Sequence, residues 1–198
     1  MDITHLAVTL MKHRLHDTFG DGVSYDVIGE PTTLPDAKAL AEQDPFQFEA
    51  WALGLVDARP TSKKTGADKG IDGRLYFHDD PRGKTKEIIM SVKSGRIFPR
   101  DVRDLHGVIE REKAQIGVLI TLGKPTRAMK SEAASGGLYD SPWGTRHPKV
   151  QILTVEELLG GKRIDYPPTR GDVTFKKAPK AEGEKPSTVP LFDAERTR

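Results

Sequence analysis

Two short runs rich in branched aliphatic residues, Glu87 to Lys93 and Gln115 to Leu122, flank a segment from Arg100 to Lys113 with helical periodicity, and this alternation limits the fold more than any other feature. Val102, Leu105, Val108 and Ile109 recur at the spacing of one helix face, while the flanking runs have the length and composition of buried strands. A strand from Arg74 to His78 comes before them. The turn signal Asp79-Asp80-Pro81-Arg82-Gly83 folds it back onto Glu87 to Lys93 as a hairpin. Downstream, Pro125 to Ser135 reads as a helix, and Val150 to Thr154 as a short strand leading into a helix at Val155 to Leu159. This order predicts an α/β fold, a mixed β-sheet flanked by helices on both faces.

Upstream, residues 1 to 20 read as an amphipathic helix with Ile3, Leu6, Leu10 and Leu15 among polar neighbours, and Asp36 to Ala41 as a short helical turn. Asp44 suits an N-cap and Pro45 a first helical position, so a helix is expected from Pro45 to about Ala58, before Pro60. Phe46, Leu53 and Val56 are its expected inward face, and Glu49 falls on that face too. A carboxylate there is costly to desolvate unless it meets a cation or hydrogen-bond donors, which marks Glu49 as a functional candidate. From Pro167 onward the pattern is lost in a segment rich in Lys, Glu, Pro and Thr, with Val189, Leu191 and Phe192 as candidates for docking. The expected division is an N-terminal helix and connection over 1–43, a domain over 44–166 and a disordered tail over 167–198.

The chain has no cysteine, and its six histidines show no paired zinc-ligand spacing, so thiolate chemistry is excluded, no structural zinc site is expected, and any metal is held mainly by oxygen. No apolar run reaches the ~18 residues of a spanning helix and no secretory signal opens the chain, so the expected location is the cytoplasm, without membrane contact. A net charge of +2 decides little. Local charge says more: Lys63, Lys64 and Lys69 stand before the loop at Gly70 to Gly73, Arg82, Lys84 and Lys86 follow in the hairpin turn, and Arg96, Arg100 and Arg103 come after Lys93. Such groups are candidates for phosphate contact.

Hairpin pairing brings Asp72, at the entrance of one strand, near Lys93, at the far end of the other, and period-two alternation puts Ser91 and Lys93 on one face. Gly66-Ala67-Asp68-Lys69-Gly70-Ile71-Asp72-Gly73, followed after a strand and turn by Ile89-Met90-Ser91-Val92-Lys93, resembles the signature of Mrr-like restriction endonucleases of the PD-(D/E)xK class. The resemblance spans roughly residues 44 to 160. The whole chain also resembles a region at the C-terminal end of some site-specific DNA methyltransferases, although it has neither a SAM-binding glycine motif nor a D/N-P-P-Y/F tetrapeptide.

The resemblance implies a restriction-endonuclease-like sheet and a Mg2+-dependent DNA endonuclease acting in restriction or phage defence, with Mn2+ as a substitute ion. Asp72 is then the principal metal ligand, joined by the backbone carbonyl of Val92 and by Glu49 directly or through water. Lys93 orients the attacking water or neutralises the transition state. Asp68 is the weaker candidate ligand, read first as a loop-shaping carboxylate. DNA is the implied partner, with a homodimer or a larger defence complex as candidate assemblies. Ser91 departs from the pattern, because the family carries Glu, Asp or Gln there and a serine hydroxyl is short and neutral. It motivates the alternative: a catalytically weakened nuclease-fold module that binds DNA or a partner protein.

Overall fold

The structure is a computed structural model that describes residues 4–61, 70–80 and 84–168. Asp68, Lys63, Lys64, Lys69, Arg82 and the expected tail from 169 onward lie outside the described residues.

Helix formation near the N-terminus follows local capping. Helix α1, His5–Phe19, starts where the Thr4 side chain accepts the Ala7 N–H. Of the expected apolar stripe, Leu10 and Leu15 are half-buried, Leu6 is 45% exposed and Ile3 lies outside the described residues, while the fully buried residue is Thr9, whose Oγ1 lies 2.6 Å from where a Cβ on Gly54 would sit. A glycine opposite a small side chain lets the helices approach closely. The expected short turn at 36–41 is a full helix, α2, Leu34–Gln43, opened by a reciprocal capping box between Thr33 and Asp36. Ala37 and Ala41 of α2 lie in the same buried cluster as Phe48 and Trp51, so the core reaches back before Asp44.

Helix α3, Pro45–Gly54, begins as the sequence suggests, with the Asp44 carboxylate accepting the Phe46 and Gln47 N–H groups. It ends four residues earlier than expected, in a turn where Asp57 takes φ 56°. Of its expected inward face, Leu53 and Val56 are buried and Phe46 is not. Phe48, Trp51, Ala52 and Leu53 are buried while Phe46 is 68% exposed.

The main sheet has the order β1 (Arg59–Pro60), β2 (Gly73–Phe77), β3 (Lys86–Lys93), β4 (Ile116–Thr121), β7 (Val150–Thr154). The β1–β2 and β2–β3 pairs are antiparallel, and β3–β4 and β4–β7 are parallel, which gives the mixed sheet the sequence implies. Helix α4, Pro99–Glu112, connects β3 to β4, and α5, Arg127–Ser135, follows β4. An additional hairpin, β5 (Leu138–Asp140) with β6 (Arg146–Pro148), precedes β7, and α6, Val155–Leu159, closes the described fold.

Strand alternation divides the core in two. Ile88, Met90 and Val92 face the cluster formed with α2, α3 and α6, whereas Ile89 and Leu119 face α4 and α5. Helices therefore cover both faces. Gly73 and Gly117 mark the tightest contacts, since a Cβ would lie 2.5 Å from Leu53 Cδ2 at the first and 2.4 Å from Ile109 Cδ1 at the second. No described helix is long and apolar enough to cross a membrane.

Candidate functional site

The site is built where the β2–β3 ladder ends. Gly73 pairs with Met90, so the next residue back, Asp72, stands opposite Ser91. Its backbone is held from both sides: the Asp72 N–H donates to the Met90 carbonyl at 2.9 Å, and the Asp72 carbonyl accepts the Thr61 N–H at 2.9 Å. With its main chain fixed, the half-buried Asp72 side chain turns onto β3. There Oδ2 accepts the Val92 N–H at 2.7 Å and the Ser91 hydroxyl at 3.2 Å.

This geometry also locates the Val92 carbonyl. In an extended strand the N–H and C=O of one residue point to the same side, so the Val92 carbonyl lies on the Asp72 edge of β3. Lys93 alternates to the other edge, where its carbonyl accepts the Leu122 N–H. The Lys93 side chain is half-buried and, among the described residues, has no hydrogen bond or ion pair. Ser91, by contrast, is 5% exposed.

Asp72, Ser91 and Val92 are therefore brought into contact, with Lys93 next in the strand. Glu49 is half-buried on α3, whose core residues pack with the Met90 and Val92 face, the opposite face from the one carrying Ser91. Leu53, one turn further along α3, rests on Gly73. A Mg2+ ion bound mainly by protein needs several hard oxygens converging with near-octahedral geometry. Among the described residues no three acidic or histidine side chains are grouped to hold a metal, and the one carboxylate at the end of the ladder already accepts two hydrogen bonds through one oxygen. The visible donor set does not fit a tightly held dication.

Of the expected phosphate contacts, Arg96 and Arg100 are exposed, the latter stacked 4.8 Å from the Phe98 ring. Arg103 reaches Glu132 at 3.5 Å while its side chain stays 60% exposed. Arg96 lines a cavity of about 640 Å3 at the C-terminal ends of β3 and β4, with Lys38 and Lys124 also on its wall. Lys86 is not a free turn cation. Its ammonium meets Asp79 at 2.5 Å and donates to the Tyr139 hydroxyl at 2.7 Å, and Tyr139 donates to Asp79 at 2.6 Å.

That buried network was not readable from the sequence, because Asp79 looks like a turn residue and Tyr139 lies sixty positions away. The only local signal is that Asp79 directly follows a strand. Burial pushes the Asp79 carboxyl up, but hydrogen bonds from Lys86, Tyr139 and Ser141 outweigh it and hold the group below the usual carboxylate range.

Residues 46–160 match the model of a family described as NACHT-associated inactive Restriction Endonuclease 1. The chain belongs to this family. Its five-stranded mixed sheet flanked by helices is the restriction-endonuclease-like fold that the description names. Among solved structures, one of the MspJI restriction endonuclease in complex with a 27-mer oligonucleotide is similar over 70% of this chain, at 17% identity and a TM-score of 0.42. The chain spans 33% of that protein's length. No curated protein matches.

Proposed function

We propose that the chain is a nuclease-fold module of PD-(D/E)xK, Mrr-like descent that holds the phosphate backbone of DNA without cutting it. The observation that carries this reading is the pairing of Ser91 with Asp72. Where the Mrr-like pattern has a side chain able to face a metal, this chain has a buried hydroxyl that donates to the one carboxylate beside it. A group that donates to Asp72 competes with a cation for the same oxygen. The family description, which calls these domains inactive, supports the same conclusion.

DNA contact is assigned to the cations gathered near the end of β3. Arg96 and Lys38 line one cavity there, whose wall also carries Glu42 and the Lys124–Glu156 ion pair at 3.2 Å, Arg100 follows on α4, and Lys93 supplies an ammonium with no partner among the described residues. Lys63, Lys64 and Lys69 belong to this proposal from the sequence. The proposed setting is cytoplasmic defence, with Mg2+ or Mn2+ dispensable for binding.

Supercoiled plasmid incubated with the protein and either ion is expected to remain intact. Nicking or linearisation that disappears in Asp72→Ala would overturn the proposal in favour of an active endonuclease.

A second reading, assembly with a partner protein, has its own observation. Leu6, Met11, Phe19, Tyr25 and Ile28 are all exposed, Ile28 at 97%, and they are concentrated before the matched region. Light scattering of the native chain and of Ile28→Asp tests it. A native assembly that the substitution disperses supports this reading, and a monomer in both cases removes self-assembly.

A further inference from the structure

Phe98 occupies the N-cap of α4, a position that favours Ser, Thr, Asp or Asn because their short side chains accept the first N–H groups of a helix. A phenyl ring has no such acceptor. Capping comes from inside the helix instead, where the Asp101 carboxylate accepts the Phe98 N–H at 2.6 Å. Nor does the ring serve the core: Phe98 is 39% exposed and belongs to neither buried cluster, whereas its neighbour Ile97 packs against the one that includes Val102 and Leu105.

The main chain beneath the ring is held firmly. Pro99 keeps Phe98 extended, at φ −138° and ψ 160°, and the Phe98 carbonyl accepts the Asp101 N–H at 3.0 Å. The Arg100 guanidinium lies 4.8 Å from the ring centroid, so ring and cation are presented together. From Lys93 to Asp104 the chain carries Lys93, Arg96, Arg100 and Arg103 against Asp101 and Asp104. Asp101 is turned onto the cap and Arg103 faces Glu132. That leaves Lys93, Arg96 and Arg100, none with an ion pair among the described residues, against Asp104. An exposed aromatic ring therefore stands in a surplus of positive charge, with Arg96 and Arg100 two residues to either side of it.

We propose, on the strength of the DNA-backbone reading above, that Phe98 is a stacking platform for an unpaired base, so that this surface prefers single-stranded DNA to duplex. Inside a duplex both faces of a base are covered by its neighbours, and a protein ring finds no base face to cover. In a single strand a base turns out and stacks on an aromatic side chain while the flanking phosphates meet cations. Arg96 and Arg100 take those phosphates, and the guanidinium beside the ring adds its own attraction for the base.

Fluorescence anisotropy of a labelled mixed-sequence strand of about 16 nucleotides, and of its duplex, at one salt concentration tests this with the full-length native chain, Phe98→Ala, Phe98→Leu and Phe98→Trp. The native chain is expected to bind the strand about tenfold more tightly than the duplex. Phe98→Ala and Phe98→Leu lose about tenfold on the strand and nothing on the duplex, while Phe98→Trp keeps the native preference. Equal native affinity for the two forms, a Phe98→Ala loss shared by both, or full rescue by Leu, which has bulk but no aromatic face, would each overturn the stacking role and leave the backbone reading standing. Absence of binding to either form would overturn both.

Discussion

Ser91 and Asp72 form a contact whose consequences can be read one side chain at a time. Ser91→Ala removes a hydroxyl donor to a carboxylate and leaves the Val92 N–H in place, so a loss of about 1.5 kcal/mol is expected in urea unfolding at neutral pH. No loss would mean that the 3.2 Å contact contributes nothing to stability. The converse substitution, Ser91→Glu, places a second carboxylate beside Asp72 at a position 5% exposed. Without metal the like charges destabilise the fold. With Mg2+ the pair gains a shared ligand, so the melting temperature of Ser91→Glu is expected to rise on adding Mg2+ while that of the native chain does not. A native protein stabilised by several degrees with Mg2+ would show that Ser91 does not close the site to the ion.

Between elements, the tightest joints are glycines. Gly117→Ala would drive a Cβ into Ile109 and Leu105 where α4 crosses β4, and the expected cost is about 1–3 kcal/mol by chemical denaturation, against almost none at exposed Gly95, where no atom lies within 4 Å. A different joint ties the β5–β6 hairpin to the β2–β3 hairpin through Asp79, Lys86 and Tyr139. The Asp79 carboxyl titrates below its ordinary range in the fold, so its contribution is present above the unfolded-state value and disappears as pH falls through the folded-state value. Asp79→Asn is expected to lose about 3–5 kcal/mol at neutral pH, with the gap to the native chain narrowing in acid. A pH-independent gap would contradict this assignment.

Strands β2, β3, β4 and β7 and helix α4 were legible because each carries its own period or turn signal. Helix α3 was legible at its start and in Leu53 and Val56, but not at Phe46, since Phe46 and Phe48 are equally apolar and only packing decides which is buried. Hairpin logic brought Asp72 to the far end of β3, near Lys93, while the register that sets it opposite Ser91 came only with the structure. The Asp79 network did not, because it joins segments whose proximity depends on the whole sheet.

For the molecule as a whole, Lys38, Arg96 and Lys124 line one cavity beyond the C-terminal ends of β3 and β4, and among the described residues no three acidic or histidine side chains are grouped to hold a metal. Backbone affinity and cleavage, which an active endonuclease joins, are therefore expected to be separate in this protein. Fluorescence anisotropy of a labelled DNA duplex, titrated with the full-length chain in Mg2+ at several salt concentrations and followed by a denaturing gel of the same samples, measures both at once. Binding whose log K falls linearly with log salt, weakened by Arg96→Ala and Lys93→Ala, is expected with every strand uncut. Salt-independent or absent binding, or strands cut by the native chain and spared by Asp72→Ala, would contradict it.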